Sequence, residues 1–535
     1  MADTTTGSER VAPGQQPPAG QREPLLHHII RPAVRHWQFG LVVVAAIAVR
    51  IVVVIGYPPV FWFTDSYNYI YDAVTHVPDE VRPNGYAFFL DLLLPLHSDY
   101  PIGLLQAAMG VAMGIAIYAL LRRRGLPWWG AALPALPVLF DAYELHLEHM
   151  VTADPLFTFL VTIAVVMLCW SDRPSIPTMT VAGLLIGYAT IVRSVGEPLV
   201  VAVLVGMLAR RVGWRRLAAL AVAAVVPIGA YMIWFHQSYG HYALTDSGAF
   251  LYSRVSTFAE CSKMNVPVDL QYLCDPTKPQ DRPVAPEYVW GDTELPPDKS
   301  TFTPLYKKLG SNTALRFTPV ISAQTQKFAE LAIEAQPLGY ARAVIDDVLH
   351  TFGWARQPDP HDYYGNGPNF RFVSGPVMTA QIPWYAKEDY GRGGQYTDEQ
   401  SHVIYVAEQD FAGDGGLGAT REVRPWSILL EKYQRYVFLP GTLLGLIVLI
   451  GAAGLVARWR RWGGIGLLPW LVGALLIVVP PMTAGFSYRY VLAAVPAACL
   501  AAGLAFARRP GERSVGALAA DLRRHFGRGG AVDQE

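Results

Sequence analysis

The 535-residue chain carries no formal net charge and is 52% hydrophobic with only 16% charged residues; its mean hydropathy is +0.25. Soluble domains carry about 25% charged residues, so an ordinary soluble enzyme is excluded, and zero net charge excludes a strongly basic nucleic-acid binder. Four cysteines cannot build a disulfide scaffold, and no CxxC or Cys/His cluster offers a structural zinc site.

Residues 1–35 are polar, Pro/Gly-rich and end in a basic, histidine-containing run (His27, His28, Arg31, Arg35). No short apolar stretch leads to a small-residue cleavage site, so this segment reads as a cytoplasmic tail and not a signal peptide. The first apolar run, 37–57, is long enough to cross a bilayer as a retained helix. Further spans are expected at 100–121, 128–143, 155–170, 178–191, 198–209, 217–235, 436–456, 464–481 and 490–506, about ten in all. Counted from a cytoplasmic N-terminus, Arg122, Arg123, Arg124, Arg173, Arg210, Arg211, Arg215, Arg216, Arg458, Arg460, Arg461, Arg508 and Arg509 all fall on one side. That is the positive-inside pattern, and it places both termini, including the tail 508–535, in the cytoplasm.

The opposite side carries a loop at 58–99, two short turns and a polar region at 237–432. The last lacks long apolar runs but contains Pro, Gly, Tyr and Trp, and reads as a small extracytoplasmic domain of mixed structure. Its helical candidate is 325–352, where Phe328, Leu331, Ala332, Ile333, Tyr340, Val344, Val348 and Leu349 recur near helical spacing. Cys261 and Cys274 lie here, in an oxidising compartment, and a disulfide between them would close a short loop. Cys169 and Cys499 fall in spans and read as packing residues. No internal repeat is evident.

In such a chain the informative residues are ionisable groups at or inside the apolar boundary. The first loop opens Phe61-Trp-Phe-Thr-Asp65-Ser-Tyr-Asn-Tyr-Ile-Tyr71-Asp72. Asp65 has two readings there: a general base in a water-poor setting, or a helix cap, which spacing alone favours. Farther along, Arg82 stands in Arg82-Pro-Asn-Gly-Tyr86, either gripping a phosphate or lying at headgroup level as a surface charge. The second outward turn packs Glu144, His146, Glu148, His149 and Asp154 into eleven residues. These suit substrate binding or, for the first four, a divalent metal, although one helix would spread four ligands around its axis. Arg193 and Glu197 stand i,i+4, the spacing of a helix-end ion pair. Arg489 precedes the last span, and Arg50 lies inside the first, facing either the bundle or the interface. One membrane surface thus gathers Asp65, Arg82, Glu148, Asp154, Arg193, Glu197 and Arg489, a set suited to a phosphate and reacting hydroxyls.

Taken in order, several segments carry a resemblance. They are Thr64-Asp65-Ser66; Arg82-Pro-Asn-Gly-Tyr86 leading to Leu104-Leu-Gln106; Leu147-Glu148-His-Met-Val-Thr-Ala-Asp154-Pro-Leu-Phe157; Arg193 after Gly183-Leu-Leu-Ile-Gly-Tyr-Ala-Thr; and Arg489-Tyr490 before Val-Leu-Ala-Ala-Val-Pro. With this order the chain resembles the GT-C superfamily of polytopic, lipid-carrier-dependent glycosyltransferases, in particular the bacterial dolichyl-phosphate-mannose-protein mannosyltransferase-like branch. The likeness covers 37–211 and the last three spans.

The resemblance implies a mainly α, GT-C-like membrane fold and a sugar donor linked to a polyprenyl phosphate. It implies transfer to a hydroxyl acceptor with inversion at the anomeric carbon. Asp65 would be the base, with Asp154 and Glu148 as further catalytic carboxylates; Arg82, Arg193 and Arg489, with Tyr86 and Glu197, would bind the donor. Protein O-mannosyltransferases carry an adjacent acidic pair in the first loop, whereas Ser66 follows Asp65 here. That departure weakens both a protein acceptor and a metal requirement, with Asp154 as the candidate second carboxylate. The Ala/Val/Arg/Gly-rich composition suits a high-GC bacterial source, hence a plasma-membrane enzyme acting on a cell-envelope glycan, glycolipid or protein. Two other classes fit parts of the pattern. A transporter or flippase would place charges near the bilayer midplane, as only Arg50 does; a non-catalytic scaffold would use Trp290, Trp354 and Trp384 to stack on glycans.

Overall fold

The computed structural model describes residues 36–290, 303–310, 314–354, 372, 398–412, 420–458 and 464–507. The two tails, Arg460, Arg461, Arg508, Arg509 and Trp384 lie outside them. In a bilayer each apolar segment must satisfy its own backbone hydrogen bonds, and these runs accordingly form helices. Six are long and apolar enough to cross a membrane: Trp37–Gly56, Tyr100–Arg123, Ala153–Trp170, Trp214–Tyr239, Gly464–Thr483 and Tyr488–Ala505. The chain is a multi-pass membrane protein. Four more of the expected spans are shorter apolar helices, Trp128–Phe140, Ile176–Val192, Ser194–Ala209 and Gly441–Ala457.

Proline sets the interruptions. The 128–143 run, expected as one helix, is Trp128–Ala132, a 3-10 turn at Leu133–Ala135 and Leu136–Phe140, broken around Pro134 and Pro137. The helix expected over 325–352 is two helices, Pro319–Ala335 and Pro337–His350, because Pro337 removes a donor and pushes Gln336 out of helical geometry. Glycine sets the close approaches. Trp214–Tyr239 packs along Ile176–Val192, and a Cβ on Gly187 would sit 2.2 Å from the Ala224 carbonyl.

On one face, arginines take up the open carbonyls at helix C-termini. Arg124 donates to Cys169 O at 2.5 Å, Arg210 to Leu168 O at 2.7 Å and Arg123 to Trp170 O at 3.0 Å. Cys169 and Cys499 are buried and free.

At the other end, Gly248–Ser256 packs on Pro319–Ala335 through Tyr252, Phe328 and Ala329. Cys261 and Cys274 are joined by a disulfide beside this cluster, and Arg254 pairs with Asp347 at 2.8 Å. The described part of 237–432 is helix and turn, with no strand among the described residues; the strand component expected of a mixed domain is not found there. Short extended segments instead tie loops together. Arg421 N donates to Pro58 O at 2.8 Å and Val423 N to Gly56 O at 2.9 Å. Phe61 exchanges hydrogen bonds with the 149–151 segment, its N donating to His149 O at 2.7 Å and its O accepting from Val151 N at 3.0 Å. This last link brings the first loop against the turn at 149–151, and with it Asp65 towards Asp154.

Candidate active site

The Thr64–Thr75 helix starts without using Asp65 as its cap. Phe63 is the extended N-cap residue, and its N–H donates to Ser66 Oγ at 2.9 Å. The Ser66 hydroxyl then donates to Val151 O at 2.6 Å. Ser66 therefore satisfies the first free N–H of the helix and pins it to the second turn. Asp65 is left with its carboxylate turned towards arginines.

Four separate parts of the chain meet around it. Arg82 Nη2 donates to Asp65 Oδ1 at 2.7 Å, and Arg489 Nη1 donates to Asp65 Oδ2 at 3.1 Å. Arg489 also reaches Asp154, with Nε 3.6 Å from Oδ2. Asp154 lies in the first turn of Ala153–Trp170, where the helix dipole favours an anion. Its Oδ2 accepts from Thr152 Oγ1 at 2.7 Å and its Oδ1 from Arg193. The result is a chain Arg82–Asp65–Arg489–Asp154–Arg193 in which, among the described residues, three guanidiniums alternate with two carboxylates. Aromatic faces support the arginines. Arg489 lies 5.2 Å from the ring centres of Phe63 and Tyr490, Arg193 5.1 Å from Tyr490, and Arg82 5.7 Å from Trp290. Burial pushes the Asp65 carboxyl up, but the Arg82, Arg489 and Arg193 charges outweigh it and hold the group below the usual carboxylate range.

Other expected members are placed elsewhere. Glu148 does not join the aspartates; it accepts both Nε and Nη2 of Arg50 at 2.7 Å each. Arg50 faces the bundle interior, also donating to Leu139 O at 2.9 Å, so the pair is a buried strut between the first span and the second turn. Gly110 makes room for it, since a Cβ there would fall 1.7 Å from Glu148 Oε1. Glu197 is exposed, and Arg193 pairs with Asp154 in place of its i,i+4 neighbour. Tyr86 is fully buried and donates to Gln106 Oε1 at 2.9 Å, in the packing behind the site.

Nor do the four residues of the second turn converge as metal ligands. His146 stacks on Phe61 with centroids 4.4 Å apart, His149 Nε2 meets Tyr57 O at 2.7 Å, and Glu148 is held by Arg50. Among the described residues no group of three or more His, Cys, Asp or Glu is arranged to hold a metal ion.

Two acids not singled out from the sequence lie close by. Asp72, seven residues after Asp65 in the same helix, is buried with Oδ2 unpartnered among the described residues. Asp79 accepts from Val81 N at 2.8 Å and from Asn68 Nδ2 at 3.3 Å. Burial, with Asp79 adding to it, pushes the Asp72 carboxyl well above its ordinary range. The helical spacing of Asp65 and Asp72 was the available signal, since seven residues return to the same face.

No family model matches the chain, and no curated protein matches it. Among solved structures it is similar to the archaeal oligosaccharyltransferase AglB from Archaeoglobus fulgidus, in complex with an inhibitory peptide and a dolichol-phosphate. The identity is 11% and the TM-score 0.38, over 94% of this chain and 53% of that one. The chain spans about half the length of that enzyme.

Proposed function

We propose that this protein is a glycosyltransferase that moves a sugar from a polyprenyl-phosphate donor to an acceptor hydroxyl. The observation that carries the reading is the Arg82–Asp65–Arg489–Asp154–Arg193 chain, buried at its centre and half-buried at its two ends. Three guanidiniums suit an anionic phosphate, planar fork to phosphate oxygens, and a carboxylate among them suits a proton acceptor. The order of the sequence motifs supports the same assignment.

In this scheme Arg82, Arg193 and Arg489 hold the donor phosphate. The acceptor oxygen attacks the anomeric carbon from the face opposite the phosphate, and its proton passes to Asp65. The bond from the anomeric carbon to the phosphate oxygen breaks as the new glycosidic bond forms, inverting the configuration. The arginines stabilise the charge that grows on the departing phosphate; Asp154 positions Arg489 and Arg193. In this reading the four shorter apolar helices also cross, giving ten spans, both termini are cytoplasmic, and the site faces the extracytoplasmic side of a bacterial plasma membrane; the one-sided arginine clusters support it. Residues 36–236 and 433–507 form the membrane part and 237–432 the outer part. The acceptor class is a cell-envelope glycan, glycolipid or protein.

The test offers purified protein in nanodiscs a panel of radiolabelled polyprenyl-phosphate sugars with envelope-glycan acceptors, comparing wild type with Asp65→Asn. Transfer that disappears in the variant supports the scheme. Bound carrier lipid with no transfer from any donor would sink it in favour of transport or scaffolding.

A further inference from the structure

The helix Pro337–His350 takes no part in the site and turns an apolar line outward. Leu338, Ile345 and Leu349 are 84%, 55% and 62% exposed, and steps of seven and four residues set them one above another on the helix. Single exposed apolar side chains are ordinary on a protein surface, whereas a row of large ones marks contact with something other than water. A second row runs beside it, Arg342, Asp346 and His350 at four-residue intervals, also exposed. The opposite face is closed against protein, where buried Asp347 accepts from Arg254 Nη1 at 2.8 Å.

The place of this helix indicates what covers the apolar row. Near its start, Tyr340 donates to Met482 O at 2.9 Å, at the end of the Gly464–Thr483 span. Just past its end, Thr351 and Phe352 dock on the first turns of Gly441–Ala457. A Cβ on Gly441 would lie 2.2 Å from Thr351 O, and one on Gly445 3.1 Å from the Phe352 ring. The helix thus runs between the ends of two apolar helices, at the end of the bundle that holds Arg489. Val348, three residues from Ile345 and on the apolar side, packs with Phe352 against the core of the membrane bundle. Gly441, Gly445 and Leu449 form one i,i+4 row; Thr351 and Phe352 cover the first two, and Leu449 is 66% exposed. The docking seam therefore continues into surface that faces lipid in a bilayer. Fourteen residues with Arg342, Asp346 and Asp347 among them are too few and too charged to cross. A short helix with an apolar row beside a charged one lies in the interface plane instead.

We propose that Pro337–His350 is an interfacial helix seated in the bilayer leaflet at the site's end of the bundle. Leu338, Ile345 and Leu349 enter the acyl chains, while Arg342, Asp346 and His350 stay among the headgroups. Since Asp347 on its inner face holds Arg254 of Gly248–Ser256, the helix fixes the height of the outer part above the membrane. The inference requires a bilayer and not the sugar chemistry, so it stands or falls apart from the glycosyltransferase reading.

The test uses full-length protein, one copy per phosphatidylcholine nanodisc. The fluorophore NBD is attached at Ile345→Cys, Leu349→Cys or Asp346→Cys, with wild type as the blank because its free cysteines, Cys169 and Cys499, are buried. Dyes at 345 and 349 are expected to emit to the blue of the dye at 346. They should be quenched by lipid bearing a nitroxide on its acyl chain and not by aqueous iodide, with iodide quenching the dye at 346. Iodide quenching at 345 and 349 equal to that at 346 overturns the proposal. Protection of 345 and 349 from both quenchers overturns it as well, since a protein surface and not lipid then covers the row. A second measurement needs no variant: wild type in nanodiscs containing a lipid with a diazirine in its acyl chain is irradiated and mapped by peptide mass spectrometry. Adducts are expected on residues 338–349 as well as on Leu443, Leu446 and Leu449, which are exposed on Gly441–Ala457. Adducts on those three leucines with none on 338–349 overturn the proposal.

Discussion

Arg489 and Asp65 stand 424 positions apart in the chain, yet Arg489 Nη1 lies 3.1 Å from Asp65 Oδ2. The contact joins the start of the last span to the first loop, so the site exists only once both ends of the membrane bundle have come together. Because Arg489 also reaches Asp154, one side chain couples the two carboxylates. The chemistry proposed for the site follows from that coupling.

Replacing Asp65 with Asn keeps the shape and removes the proton acceptor. Transfer of radiolabelled sugar is expected to fall by about 10²- to 10⁴-fold, the usual contribution of a general base, while yield and elution profile stay those of wild type. Turnover retained at the wild-type rate would refute the role.

Arg193→Lys keeps the charge beside Asp154 but loses the planar fork and the stacking over Tyr490. Hydrogen bonds to charged groups are worth about 1.5–3 kcal/mol, and about 1.4 kcal/mol is tenfold. The donor KM should rise at least about tenfold, and kcat should fall as well because the same guanidinium stabilises the departing phosphate. Steady-state kinetics over a donor titration read both; a donor KM and kcat both unchanged would argue against phosphate binding.

Glu148 is expected to matter for stability and not for the chemical step. Glu148→Gln leaves Arg50 buried without its counter-charge, a change that costs about 3–5 kcal/mol in comparable buried pairs. The melting temperature in detergent should drop sharply, and combining Arg50→Met with Glu148→Met should recover much of it. Gly110→Ala, which would place a methyl group against the same carboxylate, should resemble Glu148→Gln. Equal stability of wild type and Glu148→Gln would show that the strut carries no load.

Asp99, just before the Tyr100–Arg123 helix, is 2% exposed with Oδ1 unpartnered among the described residues. Burial raises its carboxyl to about 7, against about 3.9 in an unfolded chain. The folded state therefore binds the extra proton between those values. The stability this group contributes is fully present below about pH 4 and is lost as pH rises to about 7. Asp99→Asn should melt higher than wild type at pH 8, with the difference shrinking at pH 5. Melting curves at the two pH values check this, and a gap that widened at pH 5 would contradict it.

The Cys261–Cys274 disulfide closes a loop with a sequence separation of 13 beside the Tyr252–Phe328 cluster. Loop-closure entropy for such a length is about 3 kcal/mol. Cys261→Ser, or mild reduction of the wild type, should lower the melting temperature and speed proteolysis between residues 257 and 290. If neither treatment changes the melt, the bond adds nothing to the stability of this cluster.

Much of this architecture was legible in the chain before folding. Apolar runs such as 37–57 and 217–235 must become helices wherever lipid replaces water, because nothing else satisfies their backbone groups. Proline at 134, 137 and 337 marks where helices break, a local signal that at 337 outweighs the apolar periodicity over 325–352. The sequence groups Asp65, Arg82, Glu148, Asp154, Arg193, Glu197 and Arg489 at apolar boundaries, and the fold brings five of them together, all but Glu148 and Glu197.

Pairing was not legible, because it depends on packing between segments that the chain separates widely. Sequence spacing coupled Arg193 to Glu197, four residues on, whereas the fold gives it to Asp154. Glu148 looked like a companion of Asp154, six residues away, yet the break between Ala142–Glu148 and Ala153–Trp170 sends it to Arg50 in the first span. Ser66 read as a lost acid and satisfies the first free N–H of the helix. Desolvation makes each of these choices: a charge taken out of water must find a partner wherever the fold supplies one. Which residues were ionisable and stood at apolar boundaries was written in the sequence; which of them pair was decided by the tertiary structure, since only packing brings residues 65 and 489 into contact.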